Sequence, residues 1–231
     1  MLIGGLQKSS LLDYPGKIAA ILFTQGCNFR CGYCHNPELL NFKSEEIQTD
    51  ITLNSFYDFL KTRTGKLDGV VITGGEPCLQ DDLIEVIQEI KNLGFLVKLD
   101  TNGTYPEKIK ELFNKNLLDY VAMDIKAPLD KYHKITGTII NPDNIKSSID
   151  LIINSGIDYE FRTTVLSSQL SFSDFEEIGN LISGAKRYYL QKFVASKIYN
   201  KALMSEKTYS AEDFEKIKMI LSKTIDFVDI R

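Results

Sequence analysis

The chain has no tryptophan, two histidines and four cysteines among its 231 residues. With only His35 and His133, a site built from several imidazole ligands, or one using a histidine acid–base pair, has little material. No apolar run approaches the roughly 20 residues of a membrane span. The opening Met1 to Lys8 also has no basic region leading into an apolar core, so a cytoplasmic protein without a membrane partner is expected. Lysine and arginine total 27 against 31 acidic residues, a net charge of -4. That is too mild and of the wrong sign for a polyanion binder, so nucleic acid is not an expected partner. With no low-complexity tract, Gly/Ser linker or clear repeat, the expectation is a single domain over 1–231.

The scarce cysteines are not scattered. Cys27, Cys31 and Cys34 lie within eight positions and Cys78 stands apart. A disulfide framework wants pairs, and in a reducing compartment a tight triplet more often binds metal or does redox work. Three thiolates from one loop would leave one coordination position open. For zinc that means a Lewis acid or an activated water, and for a four-iron cluster one iron able to take a substrate or cofactor. His35 is poorly placed as a fourth ligand because adjacent side chains of an extended loop diverge. A closed zinc site would need Cys78.

Short apolar runs alternate with amphipathic stretches, an α/β rhythm. Ile18 to Thr24, Gly69 to Thr73, Phe95 to Asp100, Tyr120 to Asp124, Tyr159 to Val165 and Arg187 to Gln191 read as strands, almost continuously apolar as in parallel sheets covered on both faces. The C-terminal Ile225 to Arg231 reads as one more strand or an edge. Asp81 to Leu93 predicts a helix with Leu83, Val86, Ile87, Ile90 and Leu93 on one face and Gly94 at its end. Thr104 to Glu107 and Ser173 to Glu176 have capping-box spacing, and Pro142 follows Asn141 as a first helical residue. Roughly six βα units fall short of the eight in a full barrel of about 250 residues, which suggests a partial barrel or an open sheet.

The polar clusters follow the strands. Cys27 to Pro37 come after the first, Gly74, Gly75, Glu76 and Pro77 after the second, Asp100 to Gly103 after the third, and Asp124 to Lys126 after the fourth. In parallel βα folds the carboxyl edge gathers the active-site loops, so these clusters are expected to converge.

The Cys-x3-Cys-x2-Cys loop, with aromatic Tyr33 before the last cysteine, resembles the signature of the radical S-adenosylmethionine (radical SAM) enzymes. Gly74, Gly75, Glu76 and Pro77 are similar to the family motif that receives the methionine amino group. The opening from Ile3-Gly-Gly-Leu-Gln through Asp13-Tyr-Pro-Gly to Cys34-His-Asn-Pro37 resembles the anaerobic ribonucleoside-triphosphate reductase activating branch, relatives of the pyruvate formate-lyase activases. The resemblance implies an α/β fold, a partial (β/α)6-type radical SAM barrel. It also implies one [4Fe–4S] cluster on Cys27, Cys31 and Cys34, with S-adenosylmethionine chelating the fourth iron. A reductant such as flavodoxin or ferredoxin would supply an electron, and a 5'-deoxyadenosyl radical would abstract hydrogen from a glycine of a partner glycyl radical enzyme. Asp100, Thr101 and Asp124 match activase positions at the cofactor's carboxylate end, in some relatives through a monovalent cation, and Lys126 matches the lysine of that Asp-x-Lys motif. Phe193 falls roughly where the pyruvate formate-lyase activases carry a histidine, so that contact is either absent or replaced, with Gln191 as the candidate.

The residue chemistry agrees with that cofactor. Glu76 can accept from an ammonium, Asn102 offers a donor and an acceptor, and Lys126 neutralises carboxylates. No acid–base catalytic residue is demanded. Further ferredoxin-type clusters would each want about four cysteines, and only Cys78 remains, so one cluster is expected. Cys78 reads as packing, Asp119 and Asp130 as solvated charges, and Arg162 as either a cofactor contact or an ion pair with Glu160. The alternatives are a radical SAM enzyme acting on a small molecule, like the deazaguanine carboxy synthases, and a non-catalytic metal-binding module, which would not need the clusters after the second, third and fourth strands.

Overall fold

The computed structural model describes residues 1–42 and 50–231. In chain order the elements are β1 (Ile3–Ser10), β2 (Ala19–Thr24), α1 (Leu53–Lys61), β3 (Gly69–Gly74), α2 (Leu83–Asn92), β4 (Leu96–Thr101), α3 (Pro106–Asn114), β5 (Tyr120–Asp124), α4 (Tyr132–Thr136), α5 (Pro142–Ile153), β6 (Asp158–Val165), α6 (Phe172–Leu181), β7 (Tyr188–Lys192), α7 (Ala211–Leu221) and β8 (Val228–Ile230). The eight strands of the sheet follow chain order. The chain divides into two compact units. One comprises Met1–Asn28, Glu38–Thr101 and Tyr105–Val121, and the other Phe29–Pro37, Asn102–Thr104 and Ala122–Arg231.

In the first unit β2 pairs in parallel with β3, Ala19 opposite Gly69 through Thr24 opposite Gly74, and β3 in parallel with β4. Ala20, Leu22, Val70, Val71, Ile72, Val97 and Leu99 are fully buried, the continuous apolar run that a doubly covered strand requires. β1 joins antiparallel to β2. The sequence reading did not predict it, because Gly4 and Gly5 interrupt the alternation that marks a strand. Gly4 has a packing reason: a Cβ there would stand 2.3 Å from Leu39 Cδ2. The predicted helix after β3 forms as α2 and buries Leu83, Val86, Ile87 and Ile90. Asp119 is a correction. It is not a solvated charge, since its carboxylate accepts from Val97 N–H at 2.7 Å and from the Lys91 ammonium, fixing the start of β4.

In the second unit β6, β7 and β8 pair in parallel. Tyr159, Phe161, Thr163 and Val165 are buried while Arg162 and Thr164 are half-buried, so this sheet has one apolar face and one polar face. Two predicted caps move. The box before α6 is made by Ser171 with Asp174 rather than by Ser173 with Glu176. Thr104 does not cap α3, whose N-cap Tyr105 makes no side-chain bond. Thr104 instead donates its N–H and hydroxyl to Asn102 Oδ1. Asn141 does cap α5, accepting from Asp143 N–H with Pro142 at the first turn. Among the described residues no helix is long and apolar enough to cross a membrane.

Candidate functional site

The turn after β3 is held tightly. Gly74 has φ +117°, and a Cβ on Gly75 would lie 2.1 Å from the Gly26 carbonyl oxygen, so neither position admits a side chain. Gly75 N–H donates to Thr24 O at 2.9 Å and Glu76 N–H to Gly26 O at 2.8 Å, fastening this turn to the segment just before Cys27. Glu76 is 1% exposed. Its Oε1 accepts from Cys78 N–H at 3.0 Å and from the Thr101 hydroxyl at 2.8 Å. Gly74, Gly75, Glu76 and Thr101 are thereby brought together.

Two residues of this unit carry weight that sequence reading missed. Burial raises the Tyr105 hydroxyl pKa, as do Glu76, Cys78 and Cys27 beside it. Lys98 is 2% exposed, and its ammonium pairs with Asp100 two residues along β4 while lying 5.9 Å from the Tyr120 ring centroid. A lysine and an aspartate at i and i+2 share a strand face, which was the signal available. Cys78 is buried 3.6 Å from Thr101 Oγ1, and burial together with Glu76 pushes its thiol well above the usual range. It is a protonated packing group, as expected.

In the second unit Cys34 N–H donates to Cys31 O at 3.0 Å, closing the turn that carries both thiols. Cys31 is buried and Cys34 half-buried. Burial pushes the Cys31 thiol up, and Lys126 pulls it back toward the thiolate. Lys126 Nζ stands 5.9 Å from the Tyr33 ring centroid. The Tyr33 hydroxyl is buried and finds no hydrogen-bond partner among the described residues. Such a group costs about 1–3 kcal/mol unless something meets it.

Asp124 anchors the charges. Its Oδ2 accepts from Lys126 Nζ and its Oδ1 from Arg162 Nε, each at 2.9 Å. Burial opposes ionisation of Asp124, but Arg162 and Lys126 overcome it and hold the carboxyl well below the usual range. The Lys126 ammonium, against its own desolvation, is held well above its ordinary value by Asp124, Tyr33 and Cys31. Arg162 thus has Asp124 as an ion-pair partner. Glu160 is taken bidentately by Arg231 at 3.0 and 3.1 Å, with the guanidinium 3.3 Å from the Tyr189 ring centroid. The turn at 102–104 is tied to α5 by Ser148, whose hydroxyl donates to Gly103 O, and by Asn144, which donates to Thr104 O. His35 is exposed with a ring nitrogen 2.9 Å from Val194 O, and Phe193 lies beside it. Gln191 pairs in register with Thr164 on the polar face.

Among the described residues no three His, Cys, Asp or Glu side chains could hold a single metal ion. A four-iron cluster does not ask for that, because each of its thiolates ligates a different iron. The donor set suits such a cluster: three thiols supplied by one short loop, a cationic Lys126 beside Cys31, and a buried polar atom on Tyr33 awaiting a partner.

The Radical SAM superfamily matches residues 21–182, and the chain belongs to that family, which implies a [4Fe–4S] cluster and S-adenosylmethionine as cofactors. A Methanocaldococcus jannaschii protein provisionally named a glycyl-radical enzyme activating enzyme is 35% identical over 100% of this chain and 95% of its own length. The pyruvate formate-lyase-activating enzyme of Staphylococcus epidermidis is 33% identical over 57% of this chain and 56% of its own. Among solved structures, Streptococcus suis SuiB covers 91% of the chain with a TM-score of 0.69 at 14% identity. The chain spans 48% of SuiB's length, and that likeness shows the fold alone. The α/β fold of the radical SAM enzymes, a partial barrel, is the one expected from the sequence.

Proposed function

We propose that this chain activates a glycyl radical enzyme, with anaerobic ribonucleoside-triphosphate reductase as the partner. The observation that carries the reading is the likeness to an activating enzyme along the whole chain and nearly the whole relative, rather than over the cysteine loop alone. In this reading one radical SAM domain spans 1–231, works in the cytoplasm, and takes its electron from flavodoxin or ferredoxin. Cys27, Cys31 and Cys34 hold the cluster. Once bound, the cluster and S-adenosylmethionine supply reductive cleavage of the sulfonium and a radical that takes hydrogen from the partner's glycine.

The protein's own work is placement. Glu76, fixed through Oε1 by Cys78 N–H and the Thr101 hydroxyl, keeps a carboxylate beside Gly74 and Gly75 for the methionine ammonium. Lys126 balances negative charge near Cys31, and Asp124 with Arg162 prevents that lysine from swinging away. Asp100, Thr101 and Asp124 serve the carboxylate end, through a monovalent cation as in some relatives, and Tyr33 and Asn102 serve the adenosine. Glu76→Gln preserves the internal hydrogen bonds but removes the charge, so S-adenosylmethionine should bind about 1–3 kcal/mol more weakly by titration while iron content stays unchanged. Unaltered affinity would remove Glu76 from the site.

The reading is tested by mixing reduced protein, S-adenosylmethionine and anaerobic ribonucleotide reductase without oxygen and recording the electron paramagnetic resonance spectrum. A glycyl doublet on the reductase is expected. Formation of 5'-deoxyadenosine with no doublet on that or any other glycyl radical enzyme would overturn it.

A further inference from the structure

The back of the cysteine loop opens on the surface. A cavity of about 340 Å³ is lined by Arg30, Gly32, Lys134, Gly137, Tyr199 and Asn200, among others, and no lining residue is acidic. The stretches that contribute the lining, 29–33, 133–140, 166–170 and 196–204, contain Arg30, Lys134, Lys197 and Lys201 and no aspartate or glutamate. In a chain with 31 acidic residues and net charge -4, that is a local reversal of sign. The reversal faces outward, since Lys134 and Lys201 are exposed and Tyr199 is 49% exposed. Ile139, two residues beyond Gly137, is 84% exposed. A basic rim with exposed apolar residues is the composition of a transient protein-docking surface.

The wall of this cavity is joined directly to the cysteine loop. Asn200 N–H donates to Gly32 O at 2.8 Å and Tyr199 N–H to Cys34 O at 3.1 Å. A Cβ on Gly32 would stand 2.9 Å from Leu203 Cδ1, so the loop backbone lies flat against the wall. Here the surface is one residue from Cys31 and two from Cys34.

We infer that this basic cavity is the docking surface for an acidic one-electron carrier protein that reduces the cluster, resting on the proposed assignment of a cluster to the loop. One electron leaves the carrier and enters the cluster. The carrier is oxidised by one, the cluster is reduced by one, and no atom is transferred. The pairs Asn200–Gly32 and Tyr199–Cys34 provide a hydrogen-bonded route from the docked face to the two cysteines.

The test uses the reconstituted protein and a reduced acidic flavodoxin. Affinity is followed by calorimetry at several salt concentrations, and the rate of flavodoxin oxidation by stopped flow. Wild-type affinity should fall as salt rises. The double substitution Lys134→Glu with Lys201→Glu should weaken binding and slow oxidation by about tenfold or more at low salt, leaving the circular dichroism spectrum and dithionite-driven cleavage of S-adenosylmethionine unchanged. Lys134→Ala should give a smaller change of the same sign. Unchanged affinity and rate in both variants would overturn the surface, as would inorganic phosphate binding to the cavity without competing with flavodoxin. Absence of dithionite-driven cleavage in the wild type would instead fell the underlying activase reading, and the docking surface with it.

Discussion

Cys31→Ala should lower the iron taken up on anaerobic reconstitution from about four per chain to well below one, bleach the broad thiolate-to-iron absorption, and abolish S-adenosylmethionine cleavage. Cys31 is the buried member of the triplet, next to Lys126. A buried thiol with no metal is driven toward its protonated form, so the site favours ligation over a free thiolate. A cluster on two cysteines would leave two irons without protein ligands, which is why loss rather than mere weakening is expected. The fold should survive, because alanine keeps the Cys34 N–H to Cys31 O bond, a main-chain contact. Stoichiometric zinc in the wild type with no iron uptake would refute the cluster outright. An unchanged iron count in Cys31→Ala would remove this residue from it.

What the sequence made legible was local. The strands that became β2 to β7 could be read because parallel strands covered on both faces are apolar without interruption. The Cys27–Cys34 loop, Gly74 to Pro77, and Asp124 with Lys126 could be read because each is a short motif. What escaped depended on register between distant segments. Glu160 and Arg162 stand two apart on one strand face and invite pairing with each other, yet Glu160 meets Arg231, 71 positions on, and Arg162 meets Asp124, 38 positions back. Asp119 looked solvated because its partners Val97 and Lys91 lie 22 and 28 positions back, beyond α3. β1 was hidden by Gly4 and Gly5, of which Gly4 serves close approach to Leu39 rather than strand propensity. The box before α6 forms two residues earlier than expected, at Ser171 with Asp174, and Thr104 is taken up by Asn102 instead of capping α3, because several polar residues near each helix start could have served.

The Asp124 triad gives the second large effect. Asp124→Asn leaves Lys126 and Arg162 with like charges converging on a neutral amide. Breaking one partner out of a buried ion pair costs about 3–5 kcal/mol. Asp124 keeps 27% of its side chain exposed, so solvent screens part of that, and about 3 kcal/mol is the expected loss by urea denaturation at pH 7. The sign of the pH dependence separates charge from packing. The folded-state pKa of Asp124 lies below the unfolded value of about 4, so its contribution is complete above about pH 4 and disappears as pH falls through the folded-state pKa. The stability gap between wild type and Asp124→Asn should therefore be flat from about pH 5 to 8 and close progressively below pH 4. Lys126 does not blur that window, because its pKa is raised above the ordinary lysine value and its contribution is lost only at strongly alkaline pH. The same substitution should weaken S-adenosylmethionine, since a lysine no longer pinned by Asp124 can leave Cys31 and Tyr33. A gap that stays constant down to pH 3 would mean that Asp124 holds the fold by shape and hydrogen bonding, and that its charge does not set the position of Lys126.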